Sequence, residues 1–310
     1  MLTTGIYEQL ITELLYRELD KHSEKYYIGN QELQKADAAI YLARFLSSIL
    51  HRVLDSLPDG DDRIQRQIRF CNALVNWLAE YLKEEEISEN LIETKGMLLT
   101  AFFSKENPIE RDLQKYVAEI TPKTGLSQSE LFTGSNAGLS LESELKKEIL
   151  SSDEIWWLVS FIKWTGIRVF ADELNRFARS GRKIKVITTS YMGATDVEAV
   201  EFLAGLPNAE VKLNYNISHE RLHAKSYIFR RYNGFDTGYI GSSNISRSAL
   251  TSGLEWNLKV TSQEIPHILS KFKSTFETYW ASPEFEIYNY GDAVSGQLKP
   301  ARNGHFLKPK

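Results

Sequence analysis

The sequence predicts an α/β protein, a mixed β-sheet flanked by helices and preceded by a helical N-terminal region. Three observations predict it. Apolar residues recur at helical spacing up to about residue 87. From about residue 141, short β-branched and aromatic runs alternate with helical segments, the pattern of a sheet covered by helices. Between them, residues 88–140 hold Pro108, Pro122, Gly125, Gly134 and Gly138 and read as an irregular connector. The expected organisation is a helical domain over 1–87, a connector over 88–137, an α/β domain over 138–290 and a tail over 291–310.

In the N-terminal region, Ile6, Leu10, Leu14 and Leu15 fall on one helical stripe. Ala39, Leu42, Ala43, Leu46, Ile49 and Leu50 form a second. Pro58 and Gly60 mark a turn over 56–62. A third helix is expected over 63–82, with Ile64, Ile68, Cys71, Val75 and Leu78 on one face, which makes Cys71 a core residue. The charged run 83–86 reads as a solvated helix end, and one helix is expected near 113–120. The α/β part then predicts helix 141–150, strand 154–162, helix 167–180, strand 183–190, helix 196–206 and strand 210–215. A hairpin, a strand over 254–260 and a helix over 265–280 follow.

The hairpin carries the chemistry. Residues 222–229 are rich in apolar, aromatic and β-branched types, and strand side chains alternate faces. His223, Lys225 and Tyr227 therefore project from one face, and Ala224, Ser226 and Ile228 from the other. Asn233-Gly234 supplies the positive-φ positions of a tight turn. The returning strand, 236–240, ends at Gly241, where a glycine lets backbone approach a ligand. Ser243 or Asn244 is placed to cap a short helix running to Leu250, and helix N-termini attract phosphate. Glu255 lies beyond.

Composition bounds the function. A chain of 310 residues with 42% apolar residues buries a sizeable core, in about two domains. The net charge of −4 argues against a globally basic nucleic-acid binder. The cluster Arg176, Arg179, Arg182, Lys183 and Lys185 reads as a solvated helix end entering a strand. One cysteine, Cys71, excludes an internal disulfide and fits a reducing cytoplasm. No secretory pattern opens the sequence, and the longest apolar run, 155–162, is broken by Ser160 and far too short to span a bilayer. A membrane-embedded lipase is disfavoured. Trp156, Trp157 and Trp164 read as core residues rather than a base-stacking platform.

H-x-K, then G-S-x-N, then Glu resembles the signature of the phospholipase D superfamily, H-x-K-x4-D-x6-G-S-x-N. The matching residues are His223, Lys225, Gly241, Ser242 and Asn244. Two departures stand out. Arg230 occupies the Asp position, with Asp236 further on past the turn, and the interval from Lys225 to Gly241 is longer than the pattern. Residues 151–203 and the opening GIYEQLITELL resemble the phospholipase D-like module at the N-terminus of bacterial superfamily II (DEAD/DEAH-type) helicases, which are similar to type III restriction subunits. No G-x-x-x-x-G-K-[ST] occurs, so no helicase motor is present, and the sequence is expected to be the N-terminal piece of a longer protein.

The resemblance implies a mechanism without metal or cofactor. His223 would attack phosphorus and form a phosphohistidine. Lys225 would offset charge on the non-bridging oxygens, and Ser242 and Asn244 would donate hydrogen bonds to them, within a phosphate-holding turn that includes Gly241 and Ser243. Glu255 would accept from the other ring nitrogen of His223 and fix its tautomer. The leaving oxygen needs an acid on the far side of phosphorus. The chain has one H-x-K, since His22, His51, His219, His267 and His305 lack a Lys two positions on. A two-fold homodimer with one composite site containing both copies of His223 is therefore expected. Three readings follow: a metal-independent phosphodiesterase, a nuclease acting on DNA by virtue of the helicase association; a non-catalytic DNA-binding or dimerisation module, kept open by the missing Asp; and a phospholipase.

Overall fold

The apolar run that begins at residue 155 is a strand, β2 (Glu154–Val159), buried on both faces. Its odd residues Ile155, Trp157 and Val159 enter one core cluster, and Trp156 and Leu158 enter another on the opposite face. A strand covered on both sides loses the alternation of a half-exposed one. In the computed structural model, residues 3–105, 112–134, 140–190, 193–215, 222–251 and 253–292 are described. Pro108, Gly138, His219, His305 and the tail from 293 lie outside them. The chain divides into two compact units, Met1–Phe102 and Phe103–Lys310.

The first unit holds α1 (Glu13–His22), α2 (Ala38–Ser56), α3 (Arg63–Leu82) and α4 (Glu85–Ser88). Ile6 and Leu10 precede α1 rather than sharing it, because Thr12 caps the helix by accepting from the Leu15 amide. Ile68 is the buried apolar residue of α3, while Cys71 is only half-buried and not a core residue. Lys83 ends α3 in the left-handed region at φ 56°, so the run after it is a break between two helices.

The second unit holds, in chain order, α5 (Leu113–Ile120), β1 (Glu130–Phe132), α6 (Leu141–Ser151), β2, α7 (Trp164–Ile167), a 3₁₀ turn (Arg168–Phe170), α8 (Ala171–Arg179), β3 (Lys183–Thr189), α9 (Val197–Ala204), β4 (Ala209–Asn214), β5 (Lys225–Arg230), β6 (Thr237–Gly241), α10 (Arg247–Thr251), β7 (Asn257–Thr261), α11 (Pro266–Ala281) and β8 (Phe285–Tyr288). Among the described residues the strands form one mixed sheet in the order β1-β7-β6-β5-β2-β3-β4-β8. β2, β3 and β4 run parallel, and every other pairing is antiparallel. Leu145 and Ile149 of α6, Leu174 and Phe177 of α8 and Val200 and Leu203 of α9 pack on one face; Phe276 of α11 packs on the other. No helix among the described residues is long and apolar enough to cross a membrane.

Three expectations change for packing reasons. β2 stops at Val159, because residues 160–162 leave the sheet to meet the turn after β6, where Ile162 bridges Ile245. The helix expected over 167–180 starts at Trp164 and is interrupted by the 3₁₀ turn. Gly166 is required there, since a Cβ would lie 2.4 Å from the Ile245 carbonyl oxygen. Arg182 is no solvated helix end: it donates to the carbonyls of Leu150 and Ser152 at 3.0 and 2.6 Å and lies over Phe177.

A buried ionic cluster fastens the α6 face. Glu148 accepts from Arg231 (2.6 Å), Thr237 (2.7 Å) and Tyr239 (2.8 Å) and pairs with Lys259 at 3.0 Å. Burial would raise its carboxyl pKa, but Arg231 and Lys259 outweigh that and hold it below the usual range. Lys259 also donates to Thr124 and Gly125, and Glu144 accepts from the Lys123 amide. Residues 123–125 of the expected connector are thereby pinned to the sheet.

Candidate active site

β5 lies between β2 and β6, with Lys225 opposite Val159 and Ser226 opposite Ile240. The strand begins at Lys225, so His223 stands just before it rather than on it. The two side chains still meet. Lys225 is 6% exposed, and its Nζ lies 3.2 Å from Nδ1 and 3.3 Å from Nε2 of His223. The ammonium also donates to the His223 carbonyl at 2.8 Å and to Ser160 Oγ at 3.2 Å. Near-equal distances to both ring nitrogens single out neither as the partner. Burial pushes the Lys225 pKa down, and the nearby Glu255 carboxylate opposes this.

Asn244 is buried, and its Oδ1 accepts from the Phe161 amide at 3.2 Å. An N–H only donates, so Oδ1 must face it and Nδ2 is left as the available donor. Ser160 and Phe161, consecutive residues at the end of β2, thus touch Lys225 and Asn244 respectively. Neither was singled out as a site residue in the sequence. The signal was there: Ser160 is the polar residue that breaks the apolar run.

Ser242 is exposed, with its Oγ accepting from the Trp256 amide at 3.0 Å and its own amide donating to the Trp256 carbonyl at 3.0 Å. Ser243 corrects an expectation. It is fully buried; its hydroxyl accepts from Asn257 (2.8 Å) and donates to Ala249 (3.3 Å), and its carbonyl accepts from Tyr227 (2.8 Å). These bonds hold the turn to β5 and β7. Gly241 likewise serves the sheet: a Cβ there would lie 2.0 Å from the Trp256 carbonyl oxygen, so the close approach is to β7, not a ligand. Neither Ser243 nor Asn244 caps α10. Ser246 does, accepting from the Ala249 amide at 3.3 Å, and the helix is only five residues long.

Glu255 is half-buried beside this cluster. Its charge acts on Lys225 and Tyr227, and the Tyr227 phenol is held far above its usual pKa, by burial first and Glu255 second. Among the described residues Glu255 accepts no hydrogen bond from His223.

The two departures from the motif have local explanations. Arg230 sits across the sheet from the site, paired with Glu154 at 2.8 Å and stacked over Trp156 at 4.5 Å. Asp236 closes the lengthened hairpin, accepting from the Arg231 amide at 2.6 Å and from Lys273 at 2.8 Å. Only Gly234 of the Asn233-Gly234 pair has positive φ (86°), so the turn is not the expected two-residue type. Arg231 and Gly234 close it through a backbone bond of 3.0 Å. No group of three or more His, Cys, Asp or Glu side chains among the described residues is disposed to hold a metal.

The fold is a mixed sheet flanked by helices, with H-x-K at the head of one strand and G-S-x-N at the end of its neighbour. Residues 145–280 match the family model described as cardiolipin synthase, PLD-like domain. No curated protein matches the sequence. Solved structures similar to this chain include NucT from Helicobacter pylori, with 19% identity over 49% of this chain and 94% of that one, at a TM-score of 0.37. Nuc from Salmonella typhimurium, a phospholipase D family member, is 17% identical over 52% of this chain and 99% of its own, at a TM-score of 0.41. TrmBL2, an archaeal chromatin protein, is 12% identical over 87% and 80%, at a TM-score of 0.32.

Proposed function

We propose that the α/β unit is a metal-independent phosphodiesterase, a nuclease acting on DNA, working through a phosphohistidine at His223. The observation that carries this reading is the placement of the Lys225 ammonium against both nitrogens of an exposed imidazole, with Asn244 held from the same two-residue turn. In the first step a ring nitrogen attacks phosphorus, an N–P bond forms, and the P–O bond to the leaving oxygen breaks as an acid protonates that oxygen. In the second, water attacks as the group that served as acid now takes its proton, the N–P bond breaks, and both imidazole and acid are restored. Lys225 and Asn244 Nδ2 face the charge that grows on the non-bridging oxygens, and the Ser242 hydroxyl joins them by giving up its 3.4 Å donation to the Trp256 carbonyl. Glu255 steadies the second ring nitrogen once substrate draws the site together.

The acid comes from a second copy of the chain, as the other His223 of a two-fold dimer. The contact surface is the row Leu131, Leu258 and Ile240, aligned across β1, β7 and β6 and all substantially exposed, with Trp256 next to them 63% exposed. The choice of DNA rests on the resemblance to helicase-borne modules. The test is cleavage of plasmid DNA by the full chain in EDTA, with loss of cleavage in His223→Ala. A non-catalytic DNA-binding or dimerisation module is the second reading, favoured by the missing bond between Glu255 and His223. Salt-sensitive DNA binding without turnover would select it.

A further inference from the structure

We infer that Ser160 is a positioning residue of this site, whose hydroxyl fixes where the Lys225 ammonium stands. Its role in turnover rests on the phosphodiesterase reading; its hold on Lys225 does not. Ser160 is 5% exposed at the end of β2. Its hydroxyl donates to the Ala224 carbonyl at 3.3 Å, and its lone pair then faces the Lys225 ammonium at 3.2 Å. A hydroxyl has one proton, so the donation to Ala224 gives the acceptor a set direction. Ala224 is the residue between His223 and Lys225, so one side chain holds both the backbone of the tripeptide and its cation. The Thr188 hydroxyl lies 3.5 Å from the Ser160 carbonyl and 3.4 Å from Thr195 Oγ1, and shares its one proton between them.

The neighbouring Phe161 amide binds Asn244 Oδ1 and directs the Asn244 amide nitrogen away from β2. The strand end therefore sets two anion-binding groups that lie far apart in sequence. Without the Ser160 hydroxyl the ammonium keeps the His223 carbonyl as its fixed acceptor and loses the side-chain anchor that sets its place relative to the His223 ring and Glu255, the titratable groups facing it. An accepting hydroxyl favours the charged form of the lysine, so its removal lowers the titration midpoint of Lys225 further. It also weakens the grip on a phosphate oxygen, by about ten-fold for a hydrogen bond to a charged group.

The experiment uses the full chain with ¹³C-labelled lysine, the Lys225 signal being assigned with Lys225→Arg. The Lys225 midpoint is read by NMR, and binding of inorganic phosphate by titration. In Ser160→Ala the midpoint falls and phosphate binds about ten-fold more weakly. Ser160→Thr restores both, and Ser160→Cys, which keeps volume but accepts poorly, behaves as the alanine variant. A Lys225 midpoint and phosphate affinity unchanged in both Ala and Cys variants overturns the inference. If wild type cleaves no DNA while the Ser160 variants still shift Lys225, the phosphodiesterase reading falls and the positioning role stands. If wild type cleaves DNA and the variants leave Lys225 unshifted, the positioning role falls and the phosphodiesterase reading stands.

Discussion

Lys225 holds its ammonium 3.2 Å and 3.3 Å from the two ring nitrogens of His223 and 2.8 Å from that residue's carbonyl oxygen. A cation so placed screens the phosphoryl charge that an attacking imidazole meets. Lys225→Ala is expected to lower DNA cleavage by about 10³-fold, the scale of losing one charge-stabilising group. Single-turnover cleavage in EDTA measures it, and full activity in this variant removes Lys225 from the mechanism.

The same burial gives a pH signature. Lys225 must be charged to act, and its pKa is lowered from 10.5 by burial. Activity is therefore expected to fall on an alkaline limb below pH 10.5. Stability moves the other way. Between the folded pKa and 10.5 the unfolded chain binds more protons at this residue, so its contribution to stability rises with pH. Comparing the pH–rate profile with urea midpoints for wild type and Lys225→Met checks both signs; an alkaline limb that survives in a residually active Lys225 variant belongs to another group.

Asn244→Asp keeps an oxygen for the Phe161 amide and replaces the donor with a negative charge. The fold is expected to survive while cleavage drops by at least about 10²-fold. Circular dichroism and cleavage assays on one preparation separate the two effects, and a variant that unfolds would show Asn244 to be structural.

Glu148 neutralises two buried cations, so Glu148→Gln leaves Arg231 and Lys259 under-compensated. The expected loss is about 3–5 kcal/mol in urea unfolding, the cost of breaking a buried pair. Because its folded pKa is depressed, the contribution of Glu148 is complete above the ordinary value of 4.5 and lost as pH falls through the folded value. A Gln variant as stable as wild type at pH 7 would mean the cluster is not a net attraction.

The exposed row Leu131–Leu258–Ile240 is expected to lie in the dimer interface. Leu258→Glu adds a charge to that row and should shift sedimentation from dimer to monomer, with cleavage lost in step. Wild-type chain that is monomeric at micromolar concentration and fully active excludes the composite site.

The central helices and strands were legible because they obey local rules. α3 matches the expected 63–82, and β3 and α6 differ from expectation by one residue. β1 and β8 were not legible, being three and four residues long and defined only by the strands they pair with. The bend at Ser160 and the need for glycine at 166 were hidden for the same reason: both answer to Ile245, some eighty residues away.

The amino-acid order by itself determined which chemical groups are present: one imidazole, one ammonium two positions on, and an asparagine turn following a hairpin. It also set His223 and Lys225 two positions apart at the head of a strand. Tertiary structure alone decided what each polar group is occupied with. Ser242, Ser243 and Asn244 are neighbours in the chain, yet one binds β7 at the surface, one is sealed beneath the turn, and one is held by the end of β2. Hydrogen-bond partners are set by strands that arrive from distant parts of the chain, and no local pattern carries that information.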